Sequence, residues 1–167
     1  MLFRSQKSSP AVRAVLGGWQ FNGIVTLQTG GPLTLVAGRD ASLTGLGTDR
    51  AQYLGGSPYG AGACKNIAPC VDYLNTAAFG SPANGTFGNI GRGALTGPNF
   101  RNWDLGLFKN IALHGDRLSL RFQAEFFNVT NRVNLSNPNQ TQNAAAFGSI
   151  RGAGDPRIGQ LALKLLF

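Results

Sequence analysis

Charge is the scarcest ingredient of this chain. Asp, Glu, Lys and Arg make up 13% of its 167 residues while 43% are hydrophobic, and an ordinary soluble domain carries about a quarter charged. Its polar surface must therefore rest on Asn, Gln, Ser, Thr and Gly, which suits a protein with one side against lipid. Histidine is nearly absent: His114 is the sole one, in a polar stretch that predicts a solvated side chain. A nucleophilic triad needs a base beside its nucleophile, so no catalytic residue is assigned and the chain is not expected to be an enzyme. Also missing is any apolar run near the roughly 18 residues of a membrane-spanning helix. Residues 1–18 hold no secretory signal, because Arg4, Lys7, Pro10 and Arg13 interrupt any apolar core before it reaches about 7 residues. With the strand pattern described below, this predicts that residues 1–15 are a truncated lead-in and that Met1 is not the start of the gene product.

Cysteine is limited to Cys64 and Cys70. One spaced pair cannot supply four zinc ligands, so no metal site is expected. In an oxidising compartment the pair can close a small disulfide loop, an effect of about 2 kcal/mol, and otherwise it is two thiols in a Gly- and Pro-rich loop. Acidic residues are few as well, 7 against 15 basic, for a net charge of +8. The basic residues nonetheless lie singly, at Arg39, Arg50, Lys65, Arg92, Arg101, Lys109, Arg121, Arg132, Arg151 and Lys164. Tracking a nucleic-acid backbone needs a contiguous stripe, so no nucleic acid is expected as partner. The glycines around Gly91 and Gly93 fail the dinucleotide fingerprint because Thr96 takes the third position, and no cofactor is expected.

What the chain has in plenty is Gly, 24 residues, and Phe, 11 residues, a mixture that favours strands, tight turns and long loops. Strict alternation with period two marks four segments, at residues 19–28, 102–113, 118–128 and 157–167. In the third, Leu118, Leu120, Phe122, Ala124 and Phe126 alternate with Ser119, Arg121, Gln123, Glu125 and Phe127. Slipping by one residue would put every charge on the apolar side. The last sets Leu161, Leu163, Leu165 and Phe167 against Gln160, Ala162 and Lys164. A short stretch from Leu33 to Val36 extends the first strand or lies in the loop after it.

Strands of about 10 residues are the length that a tilted strand needs to cross the hydrocarbon layer, and soluble strands are nearer 5 or 6. Connection lengths agree: a short turn from His114 to Arg117 lies between two long loops, at residues 29–101 and 129–156. Short periplasmic turns and long extracellular loops are the outer-membrane barrel pattern. It predicts that the first and third strands rise to the outside and the last ends in the periplasm. The polar side, with Asp104, Arg121, Gln123 and Glu125, then faces the lumen. Arg121 and Glu125 can pair there or with neighbouring strands. Lys109, the one charge on the apolar side, lies beside the short turn, where its stem can snorkel to the interface, and Trp103 marks the opposite aromatic belt.

The segment Arg121-Phe-Gln-Ala-Glu-Phe-Phe-Asn-Val-Thr-Asn-Arg-Val-Asn134 resembles the penultimate strand and loop start of TonB-dependent receptors, in particular the Oar-like group with a carboxypeptidase-regulatory-like domain. So do Phe147-Gly-Ser-Ile150, Asp155-Pro-Arg157 and Gln160-Leu-Ala-Leu-Lys-Leu-Leu-Phe167, and, earlier, Gly17-Gly-Trp-Gln-Phe-Asn-Gly23 and Phe87-Gly-Asn-Ile-Gly-Arg92. The resemblance implies that residues 16–167 are the C-terminal part of an outer-membrane barrel of about 22 strands. It implies Leu163, Leu165 and Phe167 as the signal read by the barrel-assembly machinery. It also implies outer-membrane lipid, the rest of the barrel and a plug domain as partners, with TonB reached through an N-terminal part. The plug, the energy-coupling motif and the signal sequence have no counterpart here. The expectation is an all-β, antiparallel transmembrane barrel fragment that forms the wall of a receptor for an unidentified ligand. The alternative is a secreted β-sandwich module for adhesion or glycan binding, which would also bury one face of each strand.

Overall fold

The structure, a computed structural model, describes residues 12, 15–60, 72–114 and 118–167. Cys64, Cys70, most of residues 1–15 and the turn residues 115–117 lie outside the described residues. The chain divides into two compact units. The first comprises Met1–Thr26, Arg101–Arg132 and Asp155–Phe167, and the second Leu27–Phe100 and Val133–Gly154.

The first unit is a four-stranded sheet built from Trp19–Gln28 (β1), Phe100–His114 (β6), Leu118–Phe127 (β7) and Ile158–Leu166 (β8), in the order β1-β6-β7-β8. The alternation of side chains explains why these segments are strands, and the register shows that the alternation is kept across the sheet. Along β6 and β7, Leu105, Leu107, Lys109 and Ile111 face Phe126, Ala124, Phe122 and Leu120. Along β7 and β8, Ala124, Phe122 and Leu120 face Leu161, Leu163 and Leu165. Directly opposed residues of an antiparallel pair share a face, so these form one continuous apolar side. β1 joins with the same parity. Asn110 N–H donates to the Gly18 carbonyl at 3.0 Å, and Gly23 lies against Leu105, so β1 runs opposite to β6.

β6 extends to His114, which pairs with Leu118 after a register shift that follows Ala112. β6 thus reaches one residue further than the alternation alone predicts.

The second unit corrects the reading of residues 29–101 and 129–156 as loops alone. It holds Pro32–Leu33 (β2) paired with Leu95–Thr96 (β5), and Gln52–Tyr53 (β3) paired with Phe79–Gly80 (β4), with one 3-10 turn, Thr76–Ala78 (η1), capped by the Asn75 side chain. Leu33, Leu35, Ala51, Leu74, Ala78, Phe79, Ile90 and Leu95 form a core with Phe147 from the later segment. Phe79 meets Phe147 edge-on at 5.9 Å. Backbone bonds tie the two segments: Val36 N–H donates to Gln140 at 3.0 Å, and Gln142 N–H to Val36 at 2.8 Å. The stretch from Leu33 to Val36 belongs to this core and does not prolong β1. Gly30 is needed for close approach, since a Cβ there would lie 1.7 Å from the Gly97 carbonyl oxygen.

Inside this unit, Ser42 N–H donates to Asp49 Oδ2 at 2.7 Å, and the Thr44 and Gly45 amides donate to Asp40 at 3.1 and 2.7 Å. The Ser42 amide is the main reason that the Asp49 carboxyl titrates below its ordinary 3.8, helped by the Ser42 hydroxyl and against the effect of burial. A carboxyl that is more acidic in the folded state stabilises it fully above the unfolded value, and the contribution is lost as pH falls through the lower folded one. The Ser42 amide resonance is expected to hold steady from neutral pH to about pH 5 and to move with a midpoint under 3.8. A midpoint at or above that value would contradict the bond.

Candidate functional site

The polar side of the sheet forms rows, each contributed by neighbouring strands. Asn110, Arg121 and Lys164 make one row near the turn end, Phe108, Gln123 and Ala162 the next, and Gly106, Glu125 and Gln160 the third. Asp104 precedes Gly106 by two residues and so continues the same side. The structure brings Asp104, Arg121, Gln123 and Glu125 onto one face, but does not pair Arg121 with Glu125. Four residues of strand separate them, about 13 Å along the axis, and the Arg121 guanidinium instead lies 5.7 Å from the Phe108 ring centroid.

Around Gly106 the sheet has a hollow of about 210 Å³, bordered on the polar side by Asn22, Ile24, Asp104, Glu125 and Phe127. Asn22 Oδ1 occupies the space that a Gly106 side chain would need, 2.2 Å from its Cβ position. Asp104 Oδ1 accepts from Asn102 Nδ2 at 2.8 Å and from the Asn128 backbone amide at 2.9 Å. That second bond links the hollow to the point where β7 ends.

Asn128 ends β7 in the left-handed region, at φ 49°, where Asn is among the few residues that fit readily. It is buried. Its Nδ2 donates to the Arg132 and Asp155 carbonyls at 2.8 and 3.1 Å, and its Oδ1 accepts from Arg132 N–H at 3.0 Å. Asn131, also at φ 49°, accepts from Arg157 N–H at 3.0 Å. The Asn-Val-Thr-Asn stretch is therefore a lock at the loop end, which joins the end of β7 to the start of β8. Asn128→Ala removes three buried bonds and leaves their partners short of a donor or acceptor, so a loss of about 2 kcal/mol is expected. Urea unfolding of the bilayer-inserted protein measures it, and a change within 0.5 kcal/mol, the range of ordinary surface changes, would refute the lock.

On the apolar side Lys109 does not reach outward as a snorkelling residue would. It is buried, its Nζ donates to the Val15 carbonyl at 2.6 Å and lies 3.4 Å from the Gly17 carbonyl oxygen, and it stacks 4.4 Å from the Trp19 ring centroid. The Trp19 Nε1 donates to the same Val15 oxygen at 2.9 Å. Sequence reasoning missed this because the partners are carbonyls of the short stretch before β1, distant in sequence. Trp103 is exposed on the apolar side, as are Leu163 and Leu165, and Phe167 lies one residue beyond β8, fully exposed.

Leu161 is 72% exposed, Leu163 66% and Leu27 71%. In water such a continuous apolar face would be an aggregation surface; against hydrocarbon it is the stable arrangement. The family described as outer membrane beta barrel domain matches residues 2–160. The chain belongs to this family. No curated protein and no solved structure matches it. In this part of an outer-membrane barrel domain, one side of the sheet carries its Leu and Phe residues and the other its Gln, Arg and Glu residues. The β-sandwich alternative has no observation in its favour. In the described residues the sheet stays open, with β1 and β8 as its edges.

Proposed function

We propose that this barrel domain is the C-terminal wall of a TonB-dependent outer-membrane receptor for a ligand taken up from outside, and that it has no catalytic role. The observation that carries the reading is the resemblance of Arg121 to Asn134 to that group of receptors. Added to it is the fold of the long loops, which build a compact unit with its own core. A simple pore needs no such unit, whereas a receptor needs ordered surface to hold a ligand. Unpaired edge strands in lipid leave backbone groups without partners, so β1 and β8 pair with further strands of the same barrel. In this reading the loop unit is extracellular, the turn between β6 and β7 and Phe167 are periplasmic, and Leu163, Leu165 and Phe167 are read during barrel assembly. A plug domain fills the interior and carries the contact with TonB.

The test is to isolate the full-length natural product from outer membranes and cross-link it in cells that hold TonB. A TonB adduct supports the reading. A protein that inserts as a closed barrel and conducts ions, with no adduct and no plug, would show a plain pore.

A further inference from the structure

We propose that Arg121 and Lys164 form an oxyanion-binding site on the interior side of the sheet, near its turn end. The two are direct partners across β7 and β8, and Asn110 faces Arg121 from β6. Cβ atoms of opposed residues lie about 4.5–5.5 Å apart, and like charges so placed repel. The flanking rows bring no relief: they hold Ala112, Ser119 and Leu166 on one side and Phe108, Gln123 and Ala162 on the other. Glu125 lies a further row away, about 13 Å along the strand from Arg121. Arg121 Nε is buried and has no hydrogen-bond partner among the described residues, although a buried donor is ordinarily satisfied. Phe108 supports the guanidinium plane and so holds its N–H fork in place.

A fixed guanidinium fork, a neighbouring ammonium and an amide donor together match an oxyanion, the fork engaging two oxygens and the ammonium adding charge. The described strand rows beside the pair hold no carboxylate, so the anion is a group beyond them. Two sources share that chemistry: a carboxylate side chain of polypeptide packed in the interior, and a free anion from solution. The inference rests on membership of the barrel family and holds whether or not the barrel couples to TonB.

The experiment uses the full-length protein in phosphate-free bilayers with inorganic phosphate as the probe, followed by its phosphorus resonance, together with carbodiimide cross-linking read by mass spectrometry. Saturable phosphate binding that weakens by about tenfold or more in Arg121→Gln and in Lys164→Gln supports the site with a free anion. An amide cross-link from Lys164 to a carboxylate, absent in Lys164→Gln and reduced in Arg121→Gln, supports it with a protein carboxylate. Lys164 is exposed on an edge strand, so its variant serves even where Arg121→Gln fails to fold. Phosphate binding unaffected by Lys164→Gln, or neither binding nor cross-link, overturns the proposal.

Discussion

Leu35→Ala is expected to destabilise the loop unit by about 3 kcal/mol, within the usual range for emptying a fully buried leucine site. Leu35 is 0% exposed and Leu33 beside it 1%. The Leu35 carbonyl also accepts from Ala51 N–H at 3.1 Å, so the side chain anchors a backbone contact as well as the core. About 3 kcal/mol is on the order of a hundredfold in the local opening equilibrium. Trypsin cutting at Arg39, Arg50 and Arg92, which all lie in this unit, should accelerate by that order, while the strands keep the slow gel migration of an inserted barrel. Unchanged cutting would mean that the core of this unit is not what orders residues 27–100. Loss of the inserted form would mean that the two units do not unfold separately.

The second large effect is a contrast between adjacent residues. Leu161 lies on the apolar side and is opposed by Ala124 near the middle of β7, whereas Ala162 lies on the polar side opposite Gln123; in the proposed barrel these are the lipid and interior sides. Leu161→Arg places a charge in hydrocarbon and is expected to reduce stability by about 2–4 kcal/mol. Ala162→Arg keeps its charge in the polar interior and should change stability by less than about 1 kcal/mol. Urea titration in lipid vesicles measures both. Equal losses, or a larger one for Ala162→Arg, would reverse the sides of the sheet and with them every interior residue named above.

These two expectations differ in how far the sequence anticipates them. The sides of the sheet were legible because a strand's side-chain period is two, and Leu120, Phe122 and Ala124 alternate with Arg121, Gln123 and Glu125 without a break. The resemblance around Asn128 pointed to a loop start, but the three bonds of its side chain depend on Asp155 and Arg132 being brought to it. Nothing periodic marks Leu33, Leu35, Leu74, Ile90 and Phe147 as one core. The only signal was the presence of apolar residues inside segments otherwise rich in Gly, Asn and Pro. The separation of Arg121 from Glu125 shows a further limit. Sharing a face is a matter of parity, whereas pairing requires proximity, and Phe108 offers the guanidinium a nearer partner.

By itself the sequence determined the long strands, the opposed chemistry of their two sides and the antiparallel order implied by a short turn between long connections. Those properties follow from local alternation and chain length, which need no partner to be read. Only the tertiary structure decided that the two long connections share a core, that carbonyls and an indole enclose Lys109, and that Arg121 stands against Lys164 with no carboxylate beside it among the described residues. Each of those is a contact between residues far apart in the chain, and strand register and side-chain packing, not sequence spacing, set which of them meet.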